Sequence, residues 1–402
     1  MLNVRTVAEV NNIIENRFAN DRMSFEHVTL ESALDRVLAE DILAAEFVPD
    51  FDRSTVDGYA VNASDVFGCS DAMPALLMIA GESSMGEHTD IRLIKGQCAY
   101  VHTGSEVPFG ADAVIMLEDT EDFRDGSIAI YKPCAPGANM IFRGDDVKPS
   151  EPVVSAGKRL TVADIGALAA LGIADVPVMK RPRVAIISTG DELVPASGQL
   201  TLGKIRDVNA PMLYAAIGDI GGEPRFCGII KDDEQAIRAA MVEAIKDCDM
   251  LILSGGTSVG VKDAAPAAIA ELGELIVHGV AAKPGKPTIV GSIKRKPVFG
   301  LPGNPVAAYF MFLMLVRPLL CSMLGTKSKD RSVTAPLSRA VPSNHGREEF
   351  VPVSLRDGVA LPIAGKSGLI TTLSCADGFI RVARDCEGLK QGEIVEITLF
   401  ER

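Results

Sequence analysis

The strongest candidates for chemistry are three glycine-rich segments that follow apolar runs in the middle of the chain: STGDEL after VAIIS, SGGTSVG after MLILS, and GLPGNP after PVF. In an open parallel sheet, ligands bind beyond the carboxyl ends of the strands, where helix N-termini present free N–H groups to anions. One such segment alone could be only a tight turn, because a lone glycine-rich turn is a weak motif. Three in one region predict a site for an anionic ligand. The candidate binding residues in these segments are Ser188, Thr189, Gly190, Ser254, Gly255, Gly256, Thr257, Ser258, Gly303 and Asn304.

Carboxylates accompany these segments. Asp191 and Glu192 lie in the first segment, Asp232 and Asp233 follow the next apolar run, and Asp263 comes just after SGGTSVG. If the sheet is parallel, all of them lie at the same edge as the glycines. Carboxylates beside a phosphate site ordinarily bind a hard divalent cation such as Mg²⁺, so a cation site is predicted there. Asp232 and Asp233 could instead cap the helix that begins at DDEQ.

Two further regions carry charged side chains. Lys283 and Lys286 lie in KPGKP, a proline-stiffened loop that could bind an anion, although most lysines are solvated and the sequence alone favours a solvated loop. In the N-terminal part, Asp57 lies among other acids and hydroxyls in PDFDRSTVDGYAV, and VHTGSEVPFGADAVIMLED is a related loop. Taken alone, DGY is only a turn signal.

The composition limits the class of protein that must position these residues. A chain of 402 residues with 47% hydrophobic residues is expected to form about two to four domains with ample cores. The formal net charge of −13 argues against a protein that binds nucleic acid or an anionic membrane over its whole surface. The eight cysteines are scattered without a C-x-x-C motif, which indicates no zinc site or disulfide framework and favours a reducing cytoplasm.

The remaining patterns predict the elements of the N-terminal part. The N-terminus has no apolar h-region, so no secretory signal is expected. A helix is predicted near the N-terminus, because apolar residues follow a helical period at Val7, Val10, Ile14 and Phe18. A second helical stretch is expected at about Leu30 to Leu38. From about Phe47 to Pro152, short β-rich runs alternate with Gly, Pro and Asp clusters, which indicates a small β-rich domain. Thr161 and Asp164 then form a predicted capping box at the start of a helix that Gly172 ends.

After Arg183, continuous apolar strands alternate with helices, which is typical of a doubly wound, mainly parallel sheet covered on both faces. The longest apolar run, Val306 to Val316, is too short to span a bilayer and predicts a buried helix. Beyond Gly325 the pattern returns to β, which predicts a small β-barrel-like domain. The expected division is an N-terminal β-rich region at 1–180 with 47–146 inserted, a central α/β domain at 181–326 and a C-terminal β domain at 327–402.

Taken together, the motifs resemble the molybdopterin molybdenumtransferase (MoeA) family over essentially the whole chain. The segments that carry the resemblance are FDRSTVDGYAV, HTGSEVPFGADAVIMLED, GDDV, STGDELV, RDVN, SGGTSVGVKD, KPGKP, GLPGNPVAAY, GREEFVPV and GKSG. The resemblance implies a reaction in which adenylylated molybdopterin and molybdate give molybdenum cofactor and AMP, with a divalent cation such as Mg²⁺. It also implies a homodimer whose active site is shared between subunits, with molybdopterin adenylyltransferase and molybdoenzymes as further partners.

The resemblance also assigns roles to individual residues. The residues it implies for catalysis are Asp57, Thr103, Glu192, Asp232, Asp263 and Lys283. Those it implies for the metal are Asp57, Asp146, Glu192, Asp232 and Asp263. Pro302, Pro305 and Ser367 are implied to bind the cofactor together with the glycine segments and Lys286. This distribution implies catalysis by positioning and electrostatics without a protein nucleophile.

The chain departs from the family pattern at three positions. Gly279 replaces a second lysine found in some members, Tyr100 replaces an arginine that often precedes the TG loop, and Val56 replaces the usual methionine before DGYA. These departures leave open a cofactor-binding or scaffold paralog with weak or no turnover. A second alternative is a molybdopterin adenylyltransferase, because those enzymes have a related central fold. The N-terminal β-rich region and the C-terminal β domain argue against the second, because adenylyltransferases resemble the central domain alone.

Overall fold

The fold is taken from a computed structural model, which describes residues 4–18, 21–255, 264–328, 330–363, 365 and 367–400. Predicted site residues Gly256, Thr257, Ser258 and Asp263 lie outside these ranges. The described chain forms three regions that follow one another in sequence, and each has its own sheet.

The N-terminal region combines two helices with a small inserted sheet. Its elements are α1 (Val7–Phe18), β1 (Phe25–Thr29), β2 (Ile42–Leu43), β3 (Arg53–Ser54), β4 (Gly58–Val61), β5 (Ala75–Ser83), β6 (Gln97–Val101), β7 (Ala113–Met116), β8 (Thr120–Asp122), β9 (Ser127–Ile130), β10 (Met140–Ile141), β11 (Pro152–Val154), α2 (Val162–Ala170) and β12 (Asp175–Met179). Six of these strands pair in the order β7-β4-β6-β5-β9-β8, while β1 pairs with β12. The predicted α1 and the Thr161–Asp164 capping box of α2 are both present.

The predicted helix from Leu30 to Leu38 is wrong. Only a short 3₁₀ turn forms at Leu30–Ser32, and Asp35 then adopts a φ of 61° that ends any helical path. Val37 and Leu38 instead make β-bridges to Arg159 and Val178. Because Leu38 is fully buried in a small core with α2 and β12, tertiary pairing outweighs local helix propensity here.

The central region is a six-stranded sheet with helices on both faces. Its elements are β13 (Arg183–Thr189), β14 (Leu193–Val194), β15 (Ile205–Arg206), α3 (Asn209–Ile220), β16 (Glu223–Ile230), α4 (Glu234–Ala244), β17 (Met250–Ser254), α5 (Ala264–Leu272), β18 (Glu274–His278), β19 (Ala282–Lys283), β20 (Ile289–Ile293), β21 (Lys296–Leu301), α6 (Pro305–Met311) and α7 (Arg317–Met323). The order is β16-β13-β17-β21-β20-β18. The first four strands are parallel, and only β20 runs the opposite way, antiparallel to both of its neighbours β21 and β18, so the predicted mainly parallel sheet is confirmed.

The apolar strands alternate their side chains between two cores. Along β13, Val184 and Ile186 pack with α1, α3 and the long helix, whereas Ala185 and Ile187 pack with α4 and α5. Each fully buried side chain of this kind contributes about 1.5–3 kcal/mol relative to exposure. The long helix is α6 and α7 joined by a π-helical turn at Phe312–Val316.

That helix is the one candidate among the described residues that is long and apolar enough to cross a membrane. Pro305–Met323 has 19 residues and is mostly buried inside the protein. It packs in the central core, which confirms the buried helix predicted from Val306 to Val316.

The C-terminal region is a curled sheet. Its elements are β22 (Ser332–Pro336), β23 (Val341–Pro342), β24 (Glu348–Arg356), β25 (Val359–Pro362), α8 (Thr371–Ser374), β26 (Gly378–Val382), β27 (Gly388–Leu389) and β28 (Ile394–Leu399). The strand order is β19-β24-β26-β28-β22, with β25 on β24 and a bridge from Leu337 to Ala360. Because β19 comes from the central region and pairs with β24, it joins the two regions through backbone hydrogen bonds. The curl is observed, while a complete barrel stays a prediction.

Candidate active site

The three glycine segments meet at one edge of the central sheet. Strands β13, β17 and β21 are adjacent and parallel, with Ser188 opposite Ser254 and Ser254 opposite Leu301. The backbones approach so closely that a Cβ on Gly255 would lie 2.3 Å from the carbonyl oxygen of Thr189. Gly255 also has a φ of +95°, so glycine is required at this position on two grounds.

A cavity of about 620 Å³ lies at this edge. Its lining residues are Thr189, Glu192, Leu193, Ile205, Arg206, Asp207, Val208, Asn209, Asp232, Ser254, Gly255, Pro287, Pro302, Gly303, Asn304, Pro305, Gly368 and Ile370. The position agrees with the general rule that open parallel sheets bind ligands beyond their strand ends. We call this space the strand-end cavity.

Asn209 connects the loops around the strand-end cavity. Its side-chain Nδ2 donates to the Ser254 hydroxyl at 2.8 Å and to the carbonyl oxygen of Gly303 at 2.9 Å. Both acceptor groups lie just after or at the end of their strands, so one buried amide fixes the relative positions of two loops. Sequence reasoning noted RDVN only as a family segment and missed the role of Asn209.

Asp207 holds the backbone of Asn209 in place through its carboxylate. One oxygen of its carboxylate accepts the Ser188 hydroxyl at 2.5 Å, and the other accepts the N–H groups of Asn209 and Ala210 at 3.1 Å each. Asp207 therefore caps the first turn of α3 and ties it to β13. Ser188 is fully buried and is committed to this bond, so the structure gives the predicted binding residue Ser188 a supporting position. An Asp two residues before an apolar helix was the signal that could have identified Asp207.

Among the residues that the structure describes, two buried polar atoms in the wall of the strand-end cavity have no hydrogen-bond partner. They are Oγ1 of Thr189 and Oδ1 of Asn209, whose residues are 2% and 5% exposed. Buried polar groups are nearly always paired, and leaving one unpaired costs about 1–3 kcal/mol. The wall therefore has unmet hydrogen-bonding capacity, as expected of a binding site.

Carboxylates gather at one side of the strand-end cavity. Glu192 and Asp232 line it, and burial raises the pKa of Asp232 above its usual range, with the negative charges of Glu192 and Asp191 adding to this effect. Asp233 instead accepts the N–H of Ala236 at 2.8 Å and caps α4, which confirms the alternative structural role for Asp233 alone. Across the described residues, no three His, Cys, Asp or Glu side chains form a group that could hold a metal ion.

A second cavity of about 790 Å³ adjoins the first and shares Asn304 and Gly368 with it. We call it the interdomain cavity, because its walls come from the KPGKP loop, the start of α6 and the C-terminal sheet. Asn304 donates to the hydroxyl of Ser367 at 3.0 Å, and both residues line this cavity. Lys283 also lines it, in an ion pair with Glu349, whereas Lys286 is exposed. Glu349 was another residue that sequence reasoning missed.

Two of the predicted residues of the N-terminal region, Asp57 and Thr103, form a separate cluster. Asp57 accepts the N–H of Thr103 at 2.8 Å, and His102 lies between Asp57 and Glu82, 4.0 Å and 2.8 Å from their carboxylates. This follows from the antiparallel register, in which the start of β4 faces the end of β6. Asp57 and Thr103 are exposed, and neither lines either of the two cavities described.

The other predicted residues have mixed positions. Gly190 lies in the turn after β13, where its N–H donates to the carbonyl oxygen of Ile230. Asp146 is exposed and pairs through its backbone with Val48. The predicted residues that do line the strand-end cavity are Thr189, Glu192, Asp232, Ser254, Gly255, Pro302, Gly303, Asn304 and Pro305.

Comparisons with known proteins agree over the whole chain. Family models match at residues 5–172 (MoeA N-terminal region, domain I and II), 185–321 (probable molybdopterin binding domain) and 334–400 (MoeA C-terminal region, domain IV). A molybdopterin molybdenumtransferase of Bacillus subtilis is 35% identical over 93% of this chain and 90% of its own length. One of Haemophilus influenzae is 32% identical over 93% and 94%.

Solved structures give the same result. A molybdopterin biosynthesis MoeA protein from Pyrococcus horikosii has a TM-score of 0.87 and 41% identity, covering 99% of this chain and 100% of its own. The match includes the central sheet that carries the strand-end cavity as well as both flanking regions. The chain therefore belongs to the molybdopterin molybdenumtransferase (MoeA) family.

Proposed function

We propose that this chain, a transferase of molybdenum cofactor biosynthesis, inserts molybdenum from molybdate into adenylylated molybdopterin and releases AMP. The observation that carries the proposal is the pair of adjoining cavities at the strand ends, joined at Asn304 and Gly368. An elongated substrate with a phosphoanhydride at its middle needs such a double space. Strand-end loops and helix N-termini provide N–H groups for its phosphates.

We further propose that the carboxylates of the strand-end cavity hold a divalent cation such as Mg²⁺. The donor set fits this, because Glu192 and Asp232 offer hard oxygen ligands and the pKa of Asp232 is raised by burial among other carboxylates. A cation would relieve this repulsion and would neutralise charge that develops on a phosphate oxygen. Asp263, which follows the neighbouring glycine segment, completes the proposed set.

The protein side chains contribute by positioning. Asn209 and Asp207 hold the strand-end loops in one arrangement before any ligand arrives, and Lys283 places an ammonium group in the wall of the interdomain cavity. Fixed dipoles and charges of this kind stabilise a transition state without reorganising during the reaction. The proposed reaction therefore needs no protein nucleophile.

The proposed site is completed by a second subunit. Asp57 and Thr103 form an exposed cluster that lines neither cavity, which is what a half-site contributed to a partner would look like. Mixing tests this: Asp57→Ala and Glu192→Ala variants are each expected to be inactive, while subunit exchange between them is expected to restore about one quarter of the wild-type rate. No restoration after verified exchange would place both residues in the site of one subunit.

The function itself is tested by AMP release. Purified protein is incubated with adenylylated molybdopterin, molybdate and Mg²⁺, and AMP and active cofactor are measured, the latter by reconstitution of a cofactor-free molybdoenzyme. Binding of molybdopterin without AMP release would instead select the scaffold paralog. Consumption of ATP with metal-free molybdopterin would select the adenylyltransferase. A cytoplasmic location is part of the proposal and agrees with the eight free thiols.

A further inference from the structure

We propose that Glu349 is a positioning and specificity-determining residue: its carboxylate neutralises Lys283, so that a tetrahedral oxyanion entering the interdomain cavity must compete with it for the ammonium group. This rests on the proposed function only in taking the cavity to receive an oxyanion. The inference concerns how tightly that anion is held.

The contact is fixed by the backbone on both sides. Strand β19 of the central region pairs in parallel with β24 of the C-terminal sheet, and Lys283 is the register partner of Glu349. Across this pair, the Lys283 Nζ lies 2.9 Å from Oε1 of Glu349. The ion pair therefore lies at the boundary between the two regions, and both residues are held in paired strands.

Glu349 is held independently of Lys283. Its second oxygen, Oε2, accepts the hydroxyl of Ser343 at 2.7 Å. Its side chain is 13% exposed, against 41% for the lysine. Glu349 is fixed by its neighbours, whereas the ammonium group of Lys283 is carried by a flexible side chain. Only the ammonium group can therefore turn toward an anion that enters the cavity.

The charges then determine how an anion binds. With Glu349 ionised, the pair is neutral, and an oxyanion gains the attraction of Lys283 but meets the repulsion of Glu349, whose Oε1 lies 2.9 Å from the same ammonium group. Such a cavity binds abundant small oxyanions weakly and leaves affinity to the rest of the substrate. Glu349→Gln keeps the acceptor oxygen facing Lys283 but removes the charge, so the cavity becomes positive.

The test is equilibrium binding of radiolabelled molybdate to the full-length protein, with inorganic phosphate in a second arm. We expect Glu349→Gln to bind molybdate about three- to tenfold more tightly than wild type, as a partly exposed charge pair allows. The matched control is Glu348→Gln. Glu348 precedes Glu349 on the same strand, is paired with Arg381 at 2.7 Å and does not line the cavity. It is expected to leave binding unchanged. If the variant gains affinity for molybdate alone, the ligand of the cavity is the metal oxyanion. If it gains affinity for both molybdate and phosphate, the cavity is a general oxyanion-binding site.

A double-mutant cycle separates this role from a general change of charge. If Glu349 acts mainly by competing for the ammonium group of Lys283, the gain in affinity from its substitution is expected to be smaller in a Lys283→Gln background, where only direct repulsion by the carboxylate remains. Persistence of the full gain there, or unchanged or weaker binding by folded Glu349→Gln, would overturn the proposal. If Glu349→Gln does not fold, Glu349→Asp replaces it, because the shorter side chain withdraws the carboxylate from the ammonium group of Lys283. Glu349→Asp is expected to bind molybdate more tightly than wild type, and unchanged or weaker binding by the folded variant would overturn the proposal. These outcomes are read from binding, so absence of AMP release by wild type would refute the proposed function and leave this test intact.

Discussion

The strand-end cavity and the Asp57–Thr103 cluster contain similar side chains in opposite settings. Around the cavity, Asp207 and Asn209 are each 5% exposed and hold three strand-end loops by hydrogen bonds within one domain. In the N-terminal cluster, the Asp57 side chain is 55% exposed and its carboxylate accepts one backbone N–H. The first region is organised by the folding of its own domain, whereas the second still has most of its binding capacity available.

The difference follows from topology. Four neighbouring parallel strands bring four strand ends to one edge, so polar residues there must satisfy one another in a buried space. An antiparallel pair such as β4 and β6 brings only two loops together, at the rim of a small sheet. Substitutions in the cavity should therefore change stability and function together, and those in the cluster should change function alone.

The largest effect is expected from Asn209→Asp. The change replaces the donor Nδ2 by an oxygen that faces the carbonyl of Gly303 and the Ser254 hydroxyl, and it adds a buried charge. We expect a loss of about 3–5 kcal/mol in the free energy of unfolding, measured by chemical denaturation. The same substitution at exposed Asn16 on α1 is the control, with a change below about 0.5 kcal/mol. Equal losses at the two sites would contradict the proposed role of Asn209.

The converse is expected for Asp57→Ala. Removing this exposed carboxylate costs one hydrogen bond, so the free energy of unfolding should fall by no more than about 1 kcal/mol. AMP release should nevertheless fall about 100-fold if the cluster completes the active site of a partner. A fall in activity that only matches the loss of folded protein would remove the distinction between the two regions.

Two helix caps give a finer comparison within the central domain. Asp207→Ala removes a buried cap and leaves the Ser188 hydroxyl without its acceptor, and should cost about 2–3 kcal/mol. Asp233→Ala removes an exposed cap of α4 and should cost about 1 kcal/mol. Both values are measured by denaturant titration. Similar losses of unfolding free energy in the two variants would show that burial of the Asp207 hydrogen bonds adds no stability.

The smallest effect concerns pH and Mg²⁺. Because burial raises the pKa of Asp232 above its ordinary value of 3.8, ionising this group in the folded protein is unfavourable. The folded state then binds its proton more tightly than the unfolded chain does, so the penalty is absent below the unfolded pKa and appears as pH rises through the raised one. At neutral pH, Asp232→Asn is therefore expected to melt at a higher temperature than wild type.

Added Mg²⁺ is expected to reverse that order. It should raise the Tm of wild type by relieving the repulsion among Asp232, Glu192 and Asp191, and should have little effect on Asp232→Asn. Asp233→Asn is the control, since asparagine also caps a helix and Asp233 does not line the cavity. Equal Mg²⁺ responses of wild type and Asp232→Asn would remove Asp232 from the cation site.

Much of this protein is determined by the sequence itself. Continuous apolar runs such as VAIIS and MLILS require a sheet buried on both faces, and their glycine-rich ends therefore have to share one edge. The capping box at Thr161 and the period of α1 are equally local signals, and both are confirmed. The family followed from the combination of motifs, since each motif alone was weak.

Only the tertiary structure decided which polar residues face a ligand and which support the fold. Ser188 lies in a glycine segment but donates a hydrogen bond to Asp207, and Lys283 forms an ion pair with Glu349. Leu38 forms a β-bridge where the sequence predicted a helix. In each case the partner lies elsewhere along the chain or in another region, and burial makes pairing obligatory for Ser188 and Leu38. Residue type and spacing fix what a side chain can do, whereas the contacts that folding brings to it decide what it does.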